Sequence, residues 1–284
     1  SGPFVVGDDG FLRHREDELV VEPVRFGTDE AAVNAFDEGA ADLAFVPSSH
    51  EGAVSVVVPA TVEVHFALRV DRPALESVDA RRAVIEAVGR SAVTRNIFGE
   101  SAFAIGGLEP EPQVCPAPCG GVSPAASPVI DALSVAYVIE PTGRERELAE
   151  LVVADLQAAG IDAAAVGLDL DDFVEQVSAG AHDLVRTGWL GLFPSADSQL
   201  APFRSTSEDN VSGYASAPFD ELAAAARTDG TAMSHHDARQ LLEDAAVVLP
   251  VARLQIRALV SDRIESITLR SDGSLDVGSL RLVD

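Results

Sequence analysis

The chain has 284 residues, 47% of them hydrophobic, enough to bury one large core or two moderate ones. Its 20 basic residues are all Arg and stand against 46 Asp and Glu, a net charge of -26 that excludes nucleic acid and anionic lipid as partners, because both require clustered cations. No apolar run approaches the roughly 18 residues of a membrane-spanning helix, which excludes direct membrane insertion; with no charged-then-apolar leader in the sequence, any targeting segment would lie outside it.

In chain order, residues 2–15, "GPFVVGDDGFLRHR", predict a hairpin whose turn is Asp9-Gly10. "LVVEPVRFGT" predicts a strand, "DEAAVNAFDEG" a helix closed by Gly39, and "DLAFVP" a strand. "ATVEVHFALRV" is a long strand, and apolar residues at three and four spacing over 77–99 predict a helix pair. The Pro- and Gly-rich run 106–128 cannot be a regular element. Beyond it, "ALSVAYVIE", "IDAAAVGL" and "HDLVRTGWL" read as strands separated by helices at "GRERELAELVVADLQAAG" and "LDDFVEQVSAG". That alternation predicts a mostly parallel sheet covered on both faces. Helices at "APFDELAAAART" and "SHHDARQLLEDAAVVLP" follow, then a strand at "VARLQIRALVSD" and a hairpin turning at Asp272-Gly273.

Few residues carry a chemical signal. Cys115 and Cys119 lack the further ligands of a zinc site and the spacing of a redox pair, leaving a small disulfide loop or two free thiols. Asp169, Asp171 and Asp172 lack the central Gly and distal Glu of a calcium loop, and His235 and His236 follow Ser234 at a helix start, where solvent exposure is the ordinary state. No nucleophile elbow, phosphate loop or dinucleotide glycine pattern is present, so no enzyme activity, cofactor or metal is expected. The informative stretch is residues 182–198, "HDLVRTGWLGLFPSADS". Arg186 interrupts an apolar strand and must find an anion or water. The flanking Gly188 and Gly191 allow close backbone approach. Arg186 and Trp189 therefore line a ligand wall, or Arg186 pairs internally with one of the many local acids, such as Asp183 or Glu175, and Trp189 is core. "NVSGY", from Asn210 to Tyr214, reads as turn chemistry or as a loop touching a ligand.

The succession "GPF", "VRFGTDEAAVNAFDEGAADLAF", "HFALRVDRPALESVDARRAVIEAVGR", "GAHDLVRTGWLGLFPSADSQLAPFRS", "NVSGYASAPFDELAAAAR" and "LEDAAVVLPVARLQIRALV" resembles the family 5 extracellular solute-binding proteins, the oligopeptide- and dipeptide-binding class of ABC transporters. The resemblance implies an α/β, periplasmic-binding-protein-like type II fold with two hinged lobes and ligand held in the cleft between them. Residues 1–62 and 254–284 would form lobe one and 63–253 lobe two, with the strands near Phe66 and Leu254 side by side. Members of the family carry a long segment ahead of the "GPF" turn, so lobe one would be incomplete here and apolar residues of "FALRV" and "LQIRALV" would lack cover.

By the same resemblance the ligand-binding residues are Arg186, Gly188, Trp189, Leu190, Gly191, Leu192, Asn210 and Tyr214, with Arg186 and Trp189 on one wall. The family's peptide binders carry an Asp three residues after this Trp; here that residue is Leu192, so recognition of a free peptide amine is not expected. The function implied is an extracytoplasmic, lipid-anchored solute-binding component of an ABC importer, taking a small-molecule or peptide ligand and meeting a membrane permease. The alternative is a degenerate binding fold acting as an interaction module in cell-wall glycolipid assembly.

Overall fold

A computed structural model describes residues 4–8, 10–14, 19–46, 50, 52, 54–108, 119–121, 130–191, 196–229 and 232–283. They form two compact units: one takes the chain up to Ala60 and again from Gln255, the other runs Thr61–Leu254. We call these units 1 and 2.

In unit 1, β1 (Phe4–Val6) pairs antiparallel with β2 (Leu12–His14), and Gly10 takes the left-handed conformation the tight turn requires, φ 84°. The strand expected over 19–28 is shorter: β3 is only Val20–Val21, because Pro23 has no N–H to continue a ladder. The helix α1 (Asp29–Asp37) is capped by Thr28, whose Oγ1 accepts from Ala31 N at 3.1 Å, and β4 (Leu43–Phe45) follows.

Unit 2 is built on β5 (Val56–Leu68), the strand that brings the chain out of unit 1. Two helices come next, α2 (Val78–Ala87), capped by Ser77, and α3 (Arg90–Phe98); a short β6 (Ala102–Ala104) follows. Then β7 (Leu133–Val138), α4 (Arg144–Ala158), β8 (Ala163–Leu168), α5 (Leu170–Ser178) and β9 (Leu184–Leu190) make two right-sized crossovers. The helices α6 (Ala196–Leu200), α7 (Ala217–Asp229) and α8 (Ala232–Ala245) precede β10 (Val248–Val260), which returns the chain to unit 1. There it pairs with β4, and the hairpin of β11 (Ile264–Leu269) and β12 (Leu275–Leu282) closes the described chain. The last helix, α8, starts two residues ahead of Ser234, so His235 and His236 lie within it.

The sheet of unit 2 runs β10-β5-β9-β7-β8 and is mixed, not mostly parallel. Parallel pairing is confined to β7 with β8 and β9, the strands joined by helical crossovers; β5 meets β9 antiparallel and β6 meets β10 antiparallel. Helical connections fix direction only for the strands they join, and β5 and β10 enter from elsewhere. That β5 and β10 are neighbours agrees with the resemblance.

Both faces of this sheet are covered. On one, Val64, Phe66 and Leu68 of β5 pack with Val84 of α2 and Leu148, Val152 and Leu156 of α4. On the other, Leu200, Phe203, Phe219, Ala238 and Leu242 form a second cluster. Full burial of each Leu or Phe contributes about 1.5–3 kcal/mol. The cover expected to be missing from "FALRV" is present: Phe66, Ala67 and Leu68 are fully buried under unit 2's own helices, and Ala258 and Leu259 of "LQIRALV" are buried as well.

Candidate ligand wall on strand β9

A strand alternates its side chains between two faces, so residues three apart cannot share one. Arg186 and Trp189 accordingly lie on opposite faces of β9, which corrects the expectation that both line one wall. Their surroundings differ as the alternation requires. Arg186 meets α4: its Nε lies 2.8 Å from Glu145 Oε2, and Nη2 donates to Glu145 Oε1 at 3.1 Å. Its internal partner is thus Glu145, in the first turn of α4, and not Asp183 or Glu175. Asp183 is occupied elsewhere, accepting from Arg72 Nε at 3.0 Å and from Ser134 N and Oγ at 2.9 and 2.7 Å. Burial pushes the Arg186 guanidinium down from its ordinary range, and Glu145 opposes that shift.

On the same face as Arg186 come Gly188 and the 77%-exposed Leu190. Gly188 is required there: a Cβ would stand 2.3 Å from the Glu63 carbonyl oxygen of β5 and 3.4 Å from Arg186 Nη1. The result is a strand surface with a bare backbone at 188, an exposed apolar side chain at 190 and a guanidinium alongside, already held by one carboxylate. Such a surface can offer a flat backbone and a cation to an extended, anionic ligand. Gly191 ends the strand, its N donating to Thr61 O at 2.9 Å.

Trp189 is buried at 6% exposure on the other face, its Nε1 donating to Ser198 Oγ at 3.1 Å. Beside it lies a cluster of buried polar groups that sequence reading did not find. Glu63, opposite Trp189 in the β5–β9 register, accepts from Arg253 Nη2 at 2.5 Å and from Gln199 Nε2 at 2.7 and 2.8 Å. Arg253 also lies over the Trp189 ring, 5.3 Å from its centroid. His65, two residues along β5, is buried against Phe203, and burial followed by the nearby Arg186 pushes its pKa down to about 3. One signal could have pointed here: Thr61, Glu63 and His65 alternate along an apolar strand, and buried polar groups need partners.

Among the described residues, Asn210 and Tyr214 make their hydrogen bonds and ring contact within the stretch 204–219 and not with β9. Asn210 Nδ2 donates to Arg204 O and Tyr214 O at 3.2 and 2.7 Å, and its Oδ1 accepts from Ser212 Oγ at 2.8 Å, so it holds its own loop together. Tyr214 packs edge-on against Phe219, 5.7 Å between centroids. Leu192 and Cys115 lie outside the described residues; Cys119 is buried and carries no free thiol.

Solved structures cover nearly the whole chain. HbpA2 from Haemophilus parasuis superposes with a TM-score of 0.83 at 17% identity, covering 99% of this chain and 64% of that one. The periplasmic murein tripeptide binding protein MppA, in its unliganded open form, gives 0.78 at 16% identity, over 94% and 58%. The fold is of the periplasmic-binding-protein type II class.

Among curated proteins, this type II chain is similar to the di/tripeptide-binding protein 3 of Pseudomonas aeruginosa (strain UCBPP-PA14), 24% identical over 212 residues. That match takes 66% of this chain and 39% of the relative, so the chain spans well under two-thirds of the relative's length. No family model matches the chain. Among the described residues no helix is long and apolar enough to cross a membrane, and no group of three His, Cys, Asp or Glu is placed to hold a metal ion.

Proposed function

We propose that this chain is part of an extracytoplasmic solute-binding component of an ABC importer, and that its unit 2 receives a small solute or peptide on the face of β9 carrying Arg186, Gly188 and Leu190. The observation that carries the reading is the extent of the likeness: a relative named for di- and tripeptide binding matches over 212 residues, and a tripeptide-binding protein superposes along 94% of the chain. The bare backbone at Gly188 and the cation beside it supply chemistry that suits such a ligand. Leu192, where the resembled peptide binders carry an acid, supports recognition that does not depend on a free amine. A membrane permease as partner and a lipid-anchored form outside the cytoplasm belong to the same proposal. The alternative of an envelope interaction module gains no support from these likenesses.

Thermal shift with a dipeptide, a tripeptide, the N-acetylated dipeptide and small carboxylates tests it. A ligand at a hundred times its Kd should stabilise the fold by about 2.7 kcal/mol. The expected result is a shift with the dipeptide that its N-acetylated form retains and Arg186→Ala removes. A shift that survives Arg186→Ala removes Arg186 from the site, and no shift with any of these compounds overturns the function.

A further inference from the structure

Strand β8 ends the sheet of unit 2, and among the described residues it pairs with β7 alone. The ladder fixes which of its backbone groups are used. Leu133 N donates to Asp162 O and Ile139 N to Leu168 O, both at 2.8 Å, so the even-numbered residues turn their amides to β7. The odd-numbered ones turn theirs away. Gln157 Nε2 reaches the first of these carbonyls, Ala163 O, at 2.8 Å. The N–H and C=O groups of Ala165 and Gly167 face outward and make no hydrogen bond among the described residues.

Nothing in the strand closes this edge. An unused edge is ordinarily guarded by a charge, a proline or a bulge, and "AAAVGL" pairs with β7 in unbroken register with none of the three. Gly167 presents bare backbone, since a Cβ there would stand 2.7 Å from Tyr137 Oη. Apolar side chains stand exposed at the same end. Ile139, which bonds Leu168, is 62% exposed, and Leu170 and Val174, on successive turns of α5, are 63% and 57% exposed. Of the stripe at 170, 174 and 177, only Val177 is buried.

Charge identifies the occupant. Asp162 and Asp169 flank the strand, Asp171, Asp172 and Glu175 follow on α5, and all five are exposed. No Arg lies between Arg146 and Arg186. A second copy would set like charge against like, because β8 carries acids at both ends; a basic segment would complement them. We infer that β8 is a docking edge for an extended, basic segment of another protein, added as a strand beside Ala165 and Gly167. Its apolar side chains cover Leu170 and Val174, and its Arg or Lys residues meet the flanking acids. Strand β7 stands between this edge and β9, so the inference does not rest on the importer reading.

The probe is labelled acetyl-Lys-Lys-Val-Thr-Val-Thr-Val-Lys-Lys-amide, which has neither a free amine nor a free carboxylate at its ends. Fluorescence anisotropy at about 0.15 M salt should show saturable binding. One analogue carries Glu for each Lys; another is methylated on its central backbone nitrogens, which keeps charge and side chains but prevents pairing. Each should bind at least about tenfold more weakly. Ala165→Pro removes an outward N–H without touching the ladder to β7, and should lose about tenfold in affinity while keeping its thermal melt. Leu170→Ser/Val174→Ser alters exposed side chains only and should lose a comparable factor. Arg186→Ala should leave the affinity unchanged, which separates the edge from the β9 face. No binding of the probe, equal binding of the methylated analogue, affinity unmoved by Ala165→Pro or by the double serine variant, or its loss in Arg186→Ala would overturn the inference. So would a dimer of the chain that Ala165→Pro dissolves, since the edge would then belong to a second copy.

Discussion

Arg253 and Glu63 meet across neighbouring strands, Nη2 to Oε1 at 2.5 Å, with side-chain exposures of 2% and 0%. Burial pushes the Glu63 carboxyl up and the Arg253 guanidinium down, so desolvation opposes both charges and their mutual attraction offsets it. Arg253→Met alone should therefore destabilise the chain by about 3–5 kcal/mol, leaving a buried carboxylate without its cation, while Glu63→Leu/Arg253→Met should recover most of that loss. Urea unfolding of the three proteins checks it. A double variant no more stable than Arg253→Met would mean that the pair is irreplaceable by packing.

His65 gives a pH dependence of definite sign. Its folded pKa of about 3 lies below the ordinary 6.5, so between those values the unfolded chain binds a proton that the folded chain does not. Stability should fall as the pH drops below about 6.5, by about 1.4 kcal/mol per unit from this residue. His65→Gln should flatten the slope between about pH 6.5 and pH 5, above the range where most carboxylates titrate. Parallel slopes for the two proteins in denaturant midpoints would refute the assignment.

Gly188→Ala should cost about 1–3 kcal/mol, since its Cβ would collide with the backbone of β5 at Glu63. Gly27→Ala, with nothing within 4 Å of the added atom, should change stability by less than about 0.5 kcal/mol. Thermal melts of the two variants make the comparison.

Glu145 and a ligand carboxylate would compete for the same guanidinium. Glu145→Gln should therefore tighten binding of any anionic solute read by Arg186, at a stability cost of about 1–3 kcal/mol for the partly buried cation. Weaker binding in Glu145→Gln would show that the carboxylate positions Arg186 for the ligand instead of holding it back.

The local pattern of the chain determined most of the elements. Thr28, Ser77 and Asp169 cap the helices that follow them, and Asp272-Gly273 turns the closing hairpin. The alternating "HDLVRTGWL" also contains the reason Arg186 and Trp189 part company, because a period of two is a property of the strand itself.

Only the tertiary structure decided what those side chains meet. Arg186 finds Glu145, 41 residues away, and Arg253 finds Glu63, 190 residues away; neither distance has a local signal. The mixed sheet has the same origin. Pairing direction and register between strands distant in sequence depend on which surfaces bury together, and an acidic chain offers every Arg many partners of equal chemistry. Packing and register select one of them.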